Sequence, residues 1–107
     1  MTIGHIVACF FGGMFLMNAI PHAVAGAMGR PFQTPFAKPP GQGLSSSTVN
    51  VLWGFFNLVV AWELLARVGG FDARAAGDAL AAALGGCAIS LYLARHFGRF
   101  HGGNTPT

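Results

Sequence analysis

Residues 3–20, IGHIVACFFGGMFLMNAI, run for eighteen positions without a charged side chain. At about 1.5 Å per residue, a helix of that length covers roughly 27 Å, close to the hydrocarbon thickness of a bilayer. Two more windows share the property. The chain holds six Lys and Arg and three Asp and Glu in 107 residues, and none of them falls within 1–29, 39–62 or 79–94. A charge at mid-bilayer costs about 2.5–3.5 kcal/mol even on lenient insertion scales, so charge avoidance on this scale is a solvent signal. With 53% hydrophobic and 8% charged residues, against about 25% charged in ordinary soluble domains, the chain lacks the polar coat that water requires.

The second window becomes a helix over 48–66, TVNVLWGFFNLVVAWELLA, entered through Ser45, Ser46 and Ser47, any of which suits an N-cap. Arg67, Gly69 and Gly70 end it. The third becomes a helix over 79–97, with Asp78 and Arg95 at the ends that the helix dipole favours for an acid and a base. Pro21 closes the first helix. These boundaries predict an all-α integral membrane protein with three transmembrane helices. Residues 21–47 form an interfacial segment and a Pro/Gly-rich loop, 67–78 a short loop, and 98–107 a polar tail. A re-entrant element over 21–29 is an alternative. So is cleavage after Ala23-Val24-Ala25, although the first 29 residues carry no Lys or Arg for a signal peptide's basic start.

With three spans, the loop after helix 1 shares a side with the C-terminal tail. That side carries Arg30, Lys38, Arg95 and Arg99, and the opposite side carries Arg67 and Arg74. The imbalance predicts a cytoplasmic C-terminus and an N-terminus outside. Six scattered cations make no basic stripe, so nucleic acid is not an expected partner.

In lipid, helices associate where small residues let backbones close. Gly4, Ala8 and Gly12 form one four-residue stripe, and Ala82, Gly86 and Ser90 another, so the expectation is packing of helix 1 on helix 3 or on further copies. Three helices enclose little interior, which points to a homo-oligomer or to a place in a larger membrane complex.

Residues 29–57, GRPFQTPFAKPPGQGLSSSTVNVLWGFFN, are similar to a block found in small bacterial inner-membrane proteins of no assigned activity, where a TPFAKPPG-type loop leads into an SS...NVLWG helix start. The resemblance covers about a quarter of the chain. It implies a multi-span protein of a bacterial inner membrane and brings no ligand or catalytic residue.

Polar side chains inside the spans are the candidate site. Asn50, Trp53 and Asn57 share one face of helix 2, and Asn57 is within reach of Asn18 or Ser90. Glu63 is the one acid in an apolar run, but Arg67 follows at the spacing of a helical ion pair. His22, His96 and His101 are expected on the loop side, and His5 on the other. His ligates haem and metals and relays protons, yet no HxxxH or HExxH spacing occurs, so no haem or metal is expected. Cys9 and Cys87 read as packing residues. Nucleophile elbows, phosphate loops and paired carboxylates are missing from the sequence, so an enzyme is the less favoured class. The reading that remains is a non-catalytic accessory, assembly or structural component. Its alternative is an oligomeric carrier or redox-associated subunit in which Asn18, His22, Asn57 and Glu63 line a path for protons, quinone or a small solute.

Overall fold

Helix α1 spans Ile3–Ala27, α2 spans Ser47–Trp62, and α3 spans Ala76–His101 in a computed structural model that describes residues 2–105. A π-helical stretch, Glu63–Val68, prolongs α2, and two short strands, β1 (Phe32–Gln33) and β2 (Leu44–Ser45), lie between α1 and α2. The three helical segments, of 25, 22 and 26 residues, are long and apolar enough to cross a membrane.

Side-chain oxygens start the first two helices. Thr2 accepts from the His5 amide at 3.0 Å and Ser46 from the Val49 amide at 3.2 Å, each satisfying an amide the helix cannot. Helix α1 does not stop at Pro21, as the sequence predicts, but continues through it to Ala27. Proline removes one backbone bond and crowds the preceding turn. Packing outweighs that cost, because residues after Pro21 form the contact with α2. A Cβ on Gly54 would lie 2.7 Å from the Ala23 nitrogen, and one on Gly26 would lie 2.6 Å from the Ser47 carbonyl oxygen, so both glycines are what let the backbones meet.

Helix α1 is the central element. It packs along α2 on one side and along α3 on the other, while α2 and α3 make little contact with each other. Helix 1 does pack on helix 3, but not through the stripe expected on helix 1. Gly4 is exposed, and Gly12 faces Leu65 at the end of α2. The α3-facing glycine is Gly13, which lies against the Ala82 carbonyl, while Gly85 lies against the Phe10 carbonyl in a reciprocal approach. Gly86 abuts Met17, and Ser90 is half-buried beside it. The reason is geometric. A central helix needs two close-approach faces, and adjacent residues such as Gly12 and Gly13 point about 100° apart.

The interior is built from small and polar residues. Ala8, Cys9, Ala19, Ala61, Ala81, Asn50 and Asn57 are buried, whereas Phe11, Leu16, Leu52, Phe55, Phe56, Val59, Leu80, Leu84 and Leu91 point outward.

Helix α3 also outruns its expected end at residue 97. It extends to His101, because Phe97 and His101 pack on Phe32 with ring centres 4.7 and 4.9 Å away. Gly102, at φ 80°, then turns the chain in the left-handed conformation that suits glycine.

Candidate functional site

Residues 28–46 fold back over the ends of all three helices. Strands β1 and β2 pair antiparallel, with Phe32 opposite Ser45 and Gln33 opposite Leu44, and the Thr34 and Ser45 hydroxyls bond to each other across the pair. Asn50, in the first turn of α2, fastens this hairpin. Its Nδ2 lies 3.1, 3.2 and 3.0 Å from the carbonyl oxygens of Phe32, Ser45 and Ser46. Those acceptors fix the amide orientation, so Oδ1 must accept, and it does so from His22 Nδ1 at 2.9 Å. The proton on His22 therefore sits on Nδ1, and in the neutral ring Nε2 keeps its lone pair. Phe32, Trp53 and Phe97 enclose the imidazole, each meeting it edge to face.

Helix α3 grips the same segment at two points. His96 Nε2 donates to the Gly41 carbonyl at 2.6 Å while its Nδ1 accepts from Arg99 at 3.1 Å, which leaves neither ring nitrogen free. Gly41, at φ 72°, turns its backbone against the His96 ring. One turn further along α3, His101 Nε2 donates to Gln33 Oε1 at 2.8 Å.

Between these fastenings lies a cavity of about 300 Å³, bordered by Asn18, His22, Gln33, Trp53, Tyr92 and His96 among others. A smaller apolar groove lined by Met14, Phe15 and Ile89 adjoins it, sharing Asn18, Tyr92 and Leu93 with the cavity. The Asn18 Nδ2 donates to Asn57 Oδ1 at 2.9 Å, and Asn57 Nδ2 donates to the Trp53 carbonyl at 2.8 Å, so the two amides form one hydrogen-bonded chain from α1 into α2. The Trp53 indole N–H is different. Among the described residues it is the buried side-chain nitrogen or oxygen without a partner, a state that costs about 1–3 kcal/mol unless something accepts from it.

Three expected site residues, Asn18, His22 and His96, thus border one cavity, and Asn50 and Asn57 hold two of them in place. Glu63 stands apart. It lies about 9 Å further along the α2 axis than Asn57 and is half-exposed, 3.5 Å from Arg67. Gln33, Thr34 and Phe97 join the site without any signal in the sequence, because contacts between distant segments create their roles.

A second polar cluster sits at the opposite end of the molecule. His5 Nε2 bonds to Asp78 Oδ1 at 2.5 Å, Cys9 Sγ lies 3.9 Å from the same nitrogen, and Asp78 Oδ2 accepts from the Asp72 amide at 2.9 Å. The sequence places His5 on the side away from the other histidines, as found, and reads Cys9 as a packing residue. Comparison of the chain with known protein families, with curated proteins and with solved structures found no match.

Proposed function

We propose that this chain is a multi-pass protein of a bacterial inner membrane that serves as a non-catalytic accessory or docking component. Its large apolar side chains lie outside and its small and polar ones inside, which is the distribution lipid favours, since lipid tails solvate Leu and Phe while close packing joins the helices. The hairpin end carries Arg30, Lys38, Arg95 and Arg99, and the opposite end Arg67 and Arg74. This bias supports a cytoplasmic hairpin and C-terminus.

The observation that carries the docking role is the way intramembrane polar groups are spent. His22, Asn50, His96 and His101 each bond to the hairpin or to its anchor, and Asn18 and Asn57 bond to each other. The product is a hydrogen-bonded cap with Phe36 exposed on its surface. A photoreactive residue at Phe36 in intact cells tests the reading. The expected adduct is with one defined membrane protein or a second copy of the chain. Absence of an adduct, together with proton or solute flux in vesicles that depends on His22, would replace docking by transport.

A second reading has one observation behind it. The unpartnered Trp53 N–H beside a cavity that continues into an apolar groove fits a lipid-soluble molecule with an acceptor head, such as a quinone. Mass analysis of what remains bound after gentle detergent extraction distinguishes the two.

A further inference from the structure

His5 and Cys9 are one turn apart on α1, and Asp78 reaches them from the first turn of α3. The imidazole nitrogen, the thiol sulfur and a carboxylate oxygen lie within 4.8 Å of one another. Cys9 and Asp78 are buried at 0% and 3% exposure, and the His5 side chain is 25% exposed. We infer that these three residues form a binding site for a single zinc-like divalent cation.

Three features carry the assignment. The donors are one nitrogen, one sulfur and one oxygen, a set suited to a borderline-soft metal and unsuited to Mg²⁺ or Ca²⁺, which take oxygen. Around tetrahedral Zn²⁺, with bonds of about 2.0–2.3 Å, such donors stand about 3.3–3.6 Å apart. The observed separations of 2.5 Å for His5–Asp78 and 3.9 Å for Cys9–His5 bracket that value, and all three donors lie within 4.8 Å of one another, so side-chain movements on the order of an ångström bring them to a tetrahedral set. Charge also balances: thiolate and carboxylate together neutralise a dication at a helix-bundle end where an unpaired charge is costly. Ligation takes the thiolate and the Nε2 lone pair, so the Cys9 proton leaves to solvent and the imidazole proton moves to Nδ1.

The surroundings prepare the carboxylate. The Asp72 amide holds Oδ2, which leaves Oδ1 directed at His5. Gly69, at the end of the π-helical turn, closes over Cys9 with no side chain of its own, and a Cβ there would approach Sγ to 3.3 Å. The His5 side chain is 25% exposed, which gives water a route to the cluster as a fourth ligand.

The test uses the full chain in detergent, free of a polyhistidine tag and carrying Cys87→Ser. Since the chain has two cysteines, thiolate ligation in that protein arises from Cys9. Titration with Co²⁺ is expected to give a sulfur-to-cobalt charge-transfer band and the intense visible bands of four-coordination, saturating at one ion per chain and displaced by Zn²⁺. Asp78→Asn and His5→Gln, checked for unchanged helicity, should each weaken Co²⁺ binding by at least about tenfold. The inference is overturned if the Cys87→Ser protein shows no charge-transfer band, or if the band persists with unchanged affinity in both folded variants.

Discussion

His22 Nδ1 lies 2.9 Å from Asn50 Oδ1 across the α1–α2 interface, and the other end of that amide faces three backbone carbonyls of the hairpin region. One side chain thereby ties the turn of α1 that follows Pro21 to the cap.

Replacing Asn50 by Ala removes these bonds together and strands buried acceptors. At about 1 kcal/mol per bond, with desolvation added, the expected loss is about 2–4 kcal/mol. Residues 28–46 should become protease-sensitive before the helices melt. A variant that resists protease like the parent would remove Asn50 from its fastening role.

Glycine positions separate two kinds of substitution. Gly85→Ala puts a methyl group into the Phe10 carbonyl and forces α1 and α3 apart, an overpacking cost of about 1–3 kcal/mol. Gly4→Ala meets open space, with Thr2 Oγ1 at 3.9 Å as its nearest neighbour, and should stabilise by up to about 1 kcal/mol through helix propensity. Thermal melts in one detergent check both signs.

Asn18 and Asn57 should couple. A double-mutant cycle with Ala at each position is expected to return about 0.6 kcal/mol, the average for interhelical hydrogen bonds in a membrane protein, and no more than about 1.7 kcal/mol. A coupling indistinguishable from zero would mean that each amide finds another partner when its neighbour is lost.

Glu63→Gln should change stability by less than about 0.5 kcal/mol, because the ion pair with Arg67 is half-exposed and 3.5 Å long. A drop of several kcal/mol would place Glu63 in an interface with a second chain.

Trp53→Phe removes an indole N–H that has no acceptor among the described residues. The ligand-free protein is expected to melt at the same temperature or higher. If an acceptor-headed molecule occupies the cavity, the same substitution lowers the amount retained through purification.

The three helices were legible because charge avoidance is a property of composition that no contact can alter. Their ends were not. Pro21 follows a local rule that the Gly54–Ala23 contact overrides, and α3 lengthens because its last turn has the hairpin to grip. Periodicity identified small-residue faces but could not choose between Gly12 and Gly13, since that choice depends on which neighbour lies on which side of α1. Two of the three residues of the His5–Cys9–Asp78 cluster stand at i, i+4 on α1, a spacing that HxxxH and HExxH patterns do not catch, and parallel odd-numbered helices place the start of α3 beside them. The distance of 73 residues between His5 and Asp78 concealed the rest. The loop-side site was legible in its members inside the spans and illegible in Gln33 and Thr34, whose partners come from elsewhere in the chain.

Large residues outside and small ones inside reverse the usual response to solvent. A water-soluble protein stripped of its shell still has a greasy centre to collapse around, whereas this chain carries its grease as clothing. Detergent that thins too far should leave the helices folded singly and glued to other molecules, so failure during handling would be recorded as precipitation before any loss of helical signal.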